Sequence, residues 1–185
     1  MTLTLRDAVE TDIAAIAALY GREVIGGTAT FETTPPSPEE MSRRLADVRR
    51  HQLPWLVAEA EGQFSGYAYL SPFRPRPAYR YGVEGSIYVE ANARGRGIGR
   101  ALLAALVERA RARGLRHMIG AISQSDSSAA SIALHRAQGF REAGVYRQVG
   151  WKFERWLDVT LMQLDLDPQG GPPTGAGLDL CGGLA

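Results

Sequence analysis

The segment richest in usable chemistry is Arg94-Gly95-Arg96-Gly97-Ile98-Gly99-Arg100, which follows the strand-like Ser86-Ile87-Tyr88-Val89. A strand that delivers the chain to a glycine-rich helix start makes an anion site. The N–H groups of the first turn have no partner within the helix, glycine lets a ligand approach the main chain, and the helix dipole adds partial positive charge. Arg94, Arg96 and Arg100 deepen that potential in a chain whose formal net charge is only +1, which suits a diphosphate better than a neutral ligand. The same residues also read as a glycine-softened turn with a solvated basic face, because short glycine motifs recur by chance. Two rival phosphate loops fail on spacing. A Walker loop ends in Gly-Lys-Ser/Thr, whereas the single lysine here is Lys152; a dinucleotide fingerprint needs its third glycine where Arg100 stands.

Glu84 precedes that loop on a strand of apolar or small neighbours, where partial burial raises the affinity of a carboxylate for a proton. Such a group is a candidate general base for an amine near neutral pH. The alternative is a strand glutamate facing solvent or paired with an arginine. Arg74 and Arg76, within Phe73-Arg74-Pro75-Arg76, offer planar forks that grip carboxylates, although composition alone equally describes a proline-stiffened, solvated basic loop. A helix-borne histidine such as His135 is more often structural. Trp151, Lys152, Phe153 and Trp156 read as core or subunit-interface packing.

The elements that must position these groups follow from periodicity. At 185 residues and 45% hydrophobic content, one domain is expected. A helix from Thr11-Asp12 carries Ile13, Ile16, Ala17 and Tyr20 inward, and a second opens at the capping box Ser37-Pro38-Glu39-Glu40. A hairpin over 55–60 and 64–70 turns at Glu61-Gly62-Gln63. Then come a strand over 83–89, a helix from the glycine loop to Gly114, a strand over 117–122, a polar turn over 123–127, a helix over 128–138 stopped by Gly139, and strands over 140–149 and 155–166. Helices first, then strands with a central strand-loop-helix, predict a mixed sheet flanked by helices. Residues 168–185, dominated by glycine and proline, are expected to form a disordered tail. The lone Cys181 in that tail can form no internal disulfide, and a catalytic thiol is not expected there. The balance of 21 basic and 20 acidic residues argues against nucleic-acid or anionic-membrane binding through bulk charge. No apolar run reaches the roughly 20 residues of a membrane span, and the N-terminus lacks signal-peptide character, so a cytoplasmic protein is expected.

Arg94-x-x-Gly97-x-Gly99 resembles the acetyl-CoA pyrophosphate loop of the GNAT acetyltransferase superfamily. More narrowly, the chain resembles the phosphinothricin and methionine-sulfone/sulfoximine N-acetyltransferases. The resemblance is carried, in order, by Thr30-Phe31-Glu32, Phe73-Arg74-Pro75-Arg76, Tyr81-Gly82-Val83-Glu84-Gly85-Ser86-Ile87-Tyr88-Val89, Ala130-Ser131-Ile132-Ala133-Leu134-His135, Gly139-Phe140 and Val149-Gly150-Trp151-Lys152-Phe153. It runs from about residue 3 to residue 166. It implies an α/β GNAT fold over residues 1–167: a central mixed, mostly antiparallel sheet flanked by helices, with splayed strands forming an acetyl-CoA cleft.

The resemblance further implies that Ile87, Tyr88, Val89, Arg94, Gly95, Arg96, Gly97, Ile98, Gly99, Arg100 and Ser128 bind acetyl-CoA, with no metal. It makes Glu84 the base, the Val89 N–H an oxyanion donor and His135 a candidate acid for the departing thiolate. Phe31, Glu32, Arg74, Pro75, Arg76, Glu84, Gly85 and Ser86 would then surround a small amino-acid substrate, in a homodimer. Two positions depart from the family pattern: Ser128 stands where asparagine is usual, and Glu154 where glycine is.

The function expected is direct acetyl transfer to the α-amino group of an amino acid or analogue, without a covalent enzyme intermediate. Acetylation of a peptide N-terminus or a polyamine calls for an acidic pocket, against which Arg74 and Arg76 speak. A CoA-binding sensor would keep the glycine loop without needing Glu84. Nucleic-acid binding, suggested by Arg-Gly-Arg-Gly, lacks interleaved stacking aromatics.

Overall fold

The first two helices form where apolar residues recur at helical spacing. α1 (Ile13–Gly26) buries Ile13, Ile16, Leu19, Tyr20 and Val24, and α2 (Pro38–Arg50) buries Met41, Leu45 and Val48. The Glu40 N–H donates to the Ser37 hydroxyl at 3.2 Å and proline holds the first position of α2, as the sequence implies. These features come from a computed structural model, which describes residues 2–125, 128–173 and 175–180. The expectations for Cys181 and for the turn at Asp126 and Ser127 lie outside the described residues.

A strand precedes both helices, contrary to the expected order. β1 (Leu3–Asp7) is short and pairs along the edge of β2 (Trp55–Ala60), too brief for its alternation to register in the sequence. β2 and β3 (Gln63–Pro72) form the expected hairpin, turning at Glu61 and Gly62 with φ of +52° and +73°, the left-handed pair of a type I′ turn. There follow β4 (Gly82–Val89), α3 (Ile98–Ala112), β5 (His117–Ser123), α4 (Ser128–Ala137), β6 (Arg141–Lys152) and β7 (Arg155–Asp165). Among the described residues, seven strands lie in the order β1-β2-β3-β4-β5-β7-β6. Of these strands β4 and β5 pair in parallel and the other neighbours antiparallel, so the sheet is mixed and mostly antiparallel.

Helices cover both faces. α3 sinks Leu102, Leu103, Leu106 and Ala110 into the core, each leucine contributing about 1.5–3 kcal/mol of apolar burial. Gly85 permits this approach: a Cβ there would lie 2.4 Å from Met118 Cε and within 4 Å of Leu70 and Leu106. Tyr20 of α1 meets Tyr88 edge-on at 5.2 Å, and Tyr88 lies an odd number of residues from Gly85 along β4, so α1 covers the opposite face.

The β6–β7 hairpin divides the four residues grouped together in the sequence. Trp151, Phe153 and Trp156 are exposed and so are not core. Lys152 alone is buried, its Nζ donating to the Thr30 carbonyl at 2.9 Å. At the hairpin's turn Phe153 and Glu154 have φ of +52° and +56°. The left-handed conformation explains why glycine suits position 154, and a glutamate there bears a strain of about 1–2 kcal/mol.

Within the segment expected to form a disordered tail, the described residues 175–180 pack against the domain. Leu178 and Leu180 are only 3% and 7% exposed, and both join the core cluster. A segment whose composition cannot fold alone has ordered against a surface that the domain already provides. Among the described residues, no helix is long and apolar enough to cross a membrane, and no group of three or more His, Cys, Asp or Glu side chains is placed to hold a metal.

Candidate active site

The site begins where two parallel strands part. β4 and β5 pair only over Gly82–Glu84 against His117–Ile119; beyond that, β4 runs on to Val89 and β5 to Ser123 without pairing to each other. The direction of the main-chain donors along β4 follows from its other neighbour. The Glu90 N–H donates to the Ser65 carbonyl at 3.0 Å, and the regular register (Tyr67 opposite Tyr88, Tyr69 opposite Ser86) turns the N–H groups of Tyr88 and Ser86 to β3 as well. The N–H groups of Gly85, Ile87 and Val89 therefore point the other way, into the wedge where β5 has diverged.

The glycine loop closes the mouth of that wedge. Gly97 is the N-cap of α3 with φ +84°, and no side chain caps the helix. A Cβ at Gly97 would meet nothing within 4 Å, so glycine is required there for conformation rather than space. The first-turn N–H groups remain free to face an anion. Arg94 is held by Glu23 at 2.6 Å and donates from Nε to the Val89 carbonyl at 3.2 Å, which ties the loop to the end of β4. The result is a cleft of about 700 Å³ reaching from Gly97, Gly99 and Arg100 to Glu84 and Ser86. That volume suits a cofactor-sized ligand.

Glu84 is half-buried on the cleft floor. Burial pushes its carboxyl above the usual value of 4.5, while the charge of Arg74 pulls it down. Arg74 stacks over the rings of Phe73 and Tyr79 at 5.2 and 5.9 Å. Neither Arg74, Pro75 nor Arg76 lines the cleft; Arg74 and Pro75 border a separate hollow, and Arg76 is exposed. Phe31 does line the cleft, whereas Glu32 stands behind it. The Glu32 carboxylate accepts from Tyr20 and Arg44, each at 2.8 Å, and Tyr20 also shares a hydrogen bond with Thr30. Arg96 also lies outside the lining, whereas the other expected cofactor residues of the loop, with Ile87, Tyr88, Val89 and Ser128, fall within it. The Ser128 hydroxyl donates to the Ser125 carbonyl at 2.8 Å, so its hydrogen is committed to the start of α4.

His135 does not suit the acid role. The residue is 6% exposed, and its Nδ1 lies 2.8 Å from the Ser131 carbonyl, a contact that requires the proton on Nδ1. Burial lowers its pKa despite that bond, which keeps the ring neutral and leaves Nε2 without a proton to give. The sequence reading missed Tyr20 and Tyr69, which line the cleft, and Arg44. Tyr20 looked like one more apolar-stripe residue of α1, and nothing local links Arg44 to Glu32. Burial pushes the Tyr20 hydroxyl up to about 12, so it stays a donor to Glu32 at neutral pH.

Residues 13–140 match the acetyltransferase (GNAT) family model. The chain is 44% identical over 164 residues to a phosphinothricin N-acetyltransferase of Alcaligenes faecalis, covering 89% of this chain and 83% of that one. It is 45% identical over 177 residues to an L-methionine sulfoximine/L-methionine sulfone acetyltransferase of Pseudomonas aeruginosa, covering 94% and 100%. Among solved structures, a GNAT superfamily phosphinothricin acetyltransferase from Sinorhizobium meliloti in complex with AcCoA superposes with a TM-score of 0.88 at 46% identity, over 95% of each chain. The chain belongs to the GNAT acetyltransferase family. It is an acetyl-CoA-dependent N-acetyltransferase.

Its residues fit that cofactor on their own evidence: free N–H groups at the start of α3 for a pyrophosphate, and an unpaired β4 edge for an extended amide-bearing arm. Bound acetyl-CoA supplies the acetyl group as an activated thioester.

Proposed function

We propose that the enzyme transfers the acetyl group to the α-amino group of a small amino acid or analogue of the phosphinothricin or methionine sulfoximine kind. The observation that carries this reading is the half-buried Glu84, whose proton affinity is raised, on the floor of the cleft beside the outward-turned N–H groups of β4. An amino acid arrives as an ammonium, and only the neutral amine can attack. Glu84 removes the proton, directly or through one water. As the nitrogen bonds to the acetyl carbon, the carbonyl oxygen gains negative charge and the Val89 N–H, held in place by the strand, donates to it. The C–S bond then breaks, and CoA leaves as a thiolate that takes up, through water, the second proton lost by the nitrogen. The substrate carboxylate is assigned to Arg74, whose side chain borders the neighbouring hollow rather than the cleft but whose charge is felt at Glu84. Phe31 closes the apolar side, and Glu32 acts through Tyr20 and Arg44 to fix that wall rather than by touching substrate. His135 seats α4 against β5.

Thiol release from acetyl-CoA across phosphinothricin, methionine sulfone, methionine sulfoximine, common amino acids, spermidine and short peptides tests this. Turnover confined to free amino acids and analogues is the expected result. A preference for peptides or spermidine would replace the substrate class, and acetyl-CoA binding with no turnover on any acceptor would point to a sensor.

A homodimer belongs to the same reading, supported by the exposed Val149, Trp151, Phe153 and Trp156 on the β6–β7 hairpin. The wild type is expected to sediment as a dimer and Trp156→Glu as a folded monomer. A monomeric wild type at micromolar concentration would refute it.

A further inference from the structure

Residues 175–180 pack against both ends of the loop that carries Arg74 and Arg76. At the far end, the Leu178 N–H donates to the Arg80 carbonyl at 2.8 Å, and the Tyr81 hydroxyl donates to the Gly175 carbonyl at 2.8 Å. Gly177, at φ +73°, lies so close that a Cβ would sit 2.8 Å from the Arg80 carbonyl oxygen and 2.9 Å from Tyr81 Cε1. At the near end, Leu180 borders a hollow of about 200 Å³ with His51, Phe73, Arg74 and Pro75. Both leucines are buried, so this contact removes apolar surface from water as well as pairing main-chain groups.

Among the described residues the loop has few other ties. Its backbone is joined to the sheet at its base, by the Phe73 N–H to the Gly82 carbonyl at 3.2 Å and the Arg116 N–H to the Tyr81 carbonyl at 2.9 Å. Between them, residues 74–80 are exposed and contain only a single 3-10 turn, Pro77–Tyr79. Arg74 must nonetheless stand at a fixed distance from Glu84, because one carbon separates the carboxylate of an α-amino acid from its amine.

We propose that the C-terminal segment 175–180 is a strap that pre-orders the Phe73–Tyr81 loop and so sets the affinity for the amino-acid substrate. The inference rests on the amino-acid reading of the site. Leu178 and Leu180 are positioning residues that touch no reacting atom. Without the strap, the ordering of the loop is charged to substrate binding, while the acetyl-CoA half of the cleft, built on β4, α3 and α4, is untouched.

The test compares the full-length wild type with Leu178→Ala/Leu180→Ala, with a chain ending at Asp167, and with Leu178→Met as the conservative replacement. Readouts are KM for the best amino acid, KM for acetyl-CoA, kcat, and amide hydrogen exchange over residues 73–81. The double variant is expected to raise the amino-acid KM about tenfold, the scale of ordering one or two side chains on binding, with kcat and the acetyl-CoA KM unchanged. Exchange in the loop should quicken, and Leu178→Met should behave as wild type. Unchanged exchange in the loop overturns the strap. So does faster exchange with an unmoved amino-acid KM, or an equal rise in both KM values. Wild-type turnover of amino acids, measured first, judges the substrate reading separately, since only the difference between wild type and variants bears on the strap. Should the shortened chain fail to fold, the double variant decides alone.

Discussion

Glu84→Gln is expected to lower kcat by about 10²–10⁴-fold while leaving the KM for acetyl-CoA unchanged, because glutamine keeps the size of the side chain and cannot accept a proton. The pH dependence sharpens the expectation. Burial places the Glu84 carboxyl above 4.5, so the wild-type kcat/KM rises with pH through a limb above the ordinary carboxylate range, and the variant lacks that limb. Stability moves the opposite way. The folded state holds the Glu84 proton to a higher pH than the unfolded chain does. Its contribution is therefore fully present below 4.5 and is lost as pH rises through the folded value. At neutral pH the native enzyme carries the cost of a partly desolvated carboxylate, and Glu84→Gln should unfold at an equal or higher temperature than the wild type. A variant that retained activity within twofold across pH 5–9 would remove Glu84 from the proton transfer.

Gly120→Val is expected to damage both stability and acetyl-CoA binding. A Cβ at Gly120 would lie 2.7 Å from His135 Nε2 and 2.9 Å from Cδ2. The ring has little room to yield: Nδ1 is bonded to the Ser131 carbonyl, and Phe140 meets it edge-on at 4.9 Å. Either the ring leaves its hydrogen bond or α4 moves off β5. Overpacking of this kind costs about 1–3 kcal/mol, which for a domain of this size lowers Tm by roughly 2–12 °C. Because Ser128, Ser131 and Leu134 of α4 line the cleft, displacement of the helix should also raise the acetyl-CoA KM by about tenfold, the equivalent of 1.4 kcal/mol. Adding His135→Ala to Gly120→Val is expected to restore much of both losses, a coupling measurable as a double-mutant cycle. Equal damage in the single and double variants would show that the contact with His135 is not the cause. A modest effect of His135→Ala alone on kcat would agree with a ring that carries no proton on Nε2.

Local residue order carries the anion loop and every helix and strand except β1, whose five residues are too few for their alternation to register. Helical spacing in α1 and α2, the cap at Ser37, and the stopping glycines Gly114 and Gly139 are local features, governed by backbone conformations that a few neighbouring residues decide. The same holds for Arg94–Arg100, whose free N–H groups follow from a glycine-opened helix wherever it sits, and for Glu84 on the strand before it. What those residues face is set by packing between elements distant in the chain. The wedge exists because β4 and β5 stop pairing at Glu84 and Ile119, which no periodicity encodes. Arg44 reaches Glu32 from another helix, and Lys152 reaches Thr30 across 122 residues of chain, contacts that depend on how faces pack rather than on spacing. The proton of His135 sits on Nδ1 because a particular carbonyl lies beneath it. The tail shows the difference most clearly. Its glycines and prolines correctly describe a segment unable to fold alone, but two leucines suffice once the domain offers a surface, since the entropy of ordering is then offset by apolar area the segment does not itself have to supply.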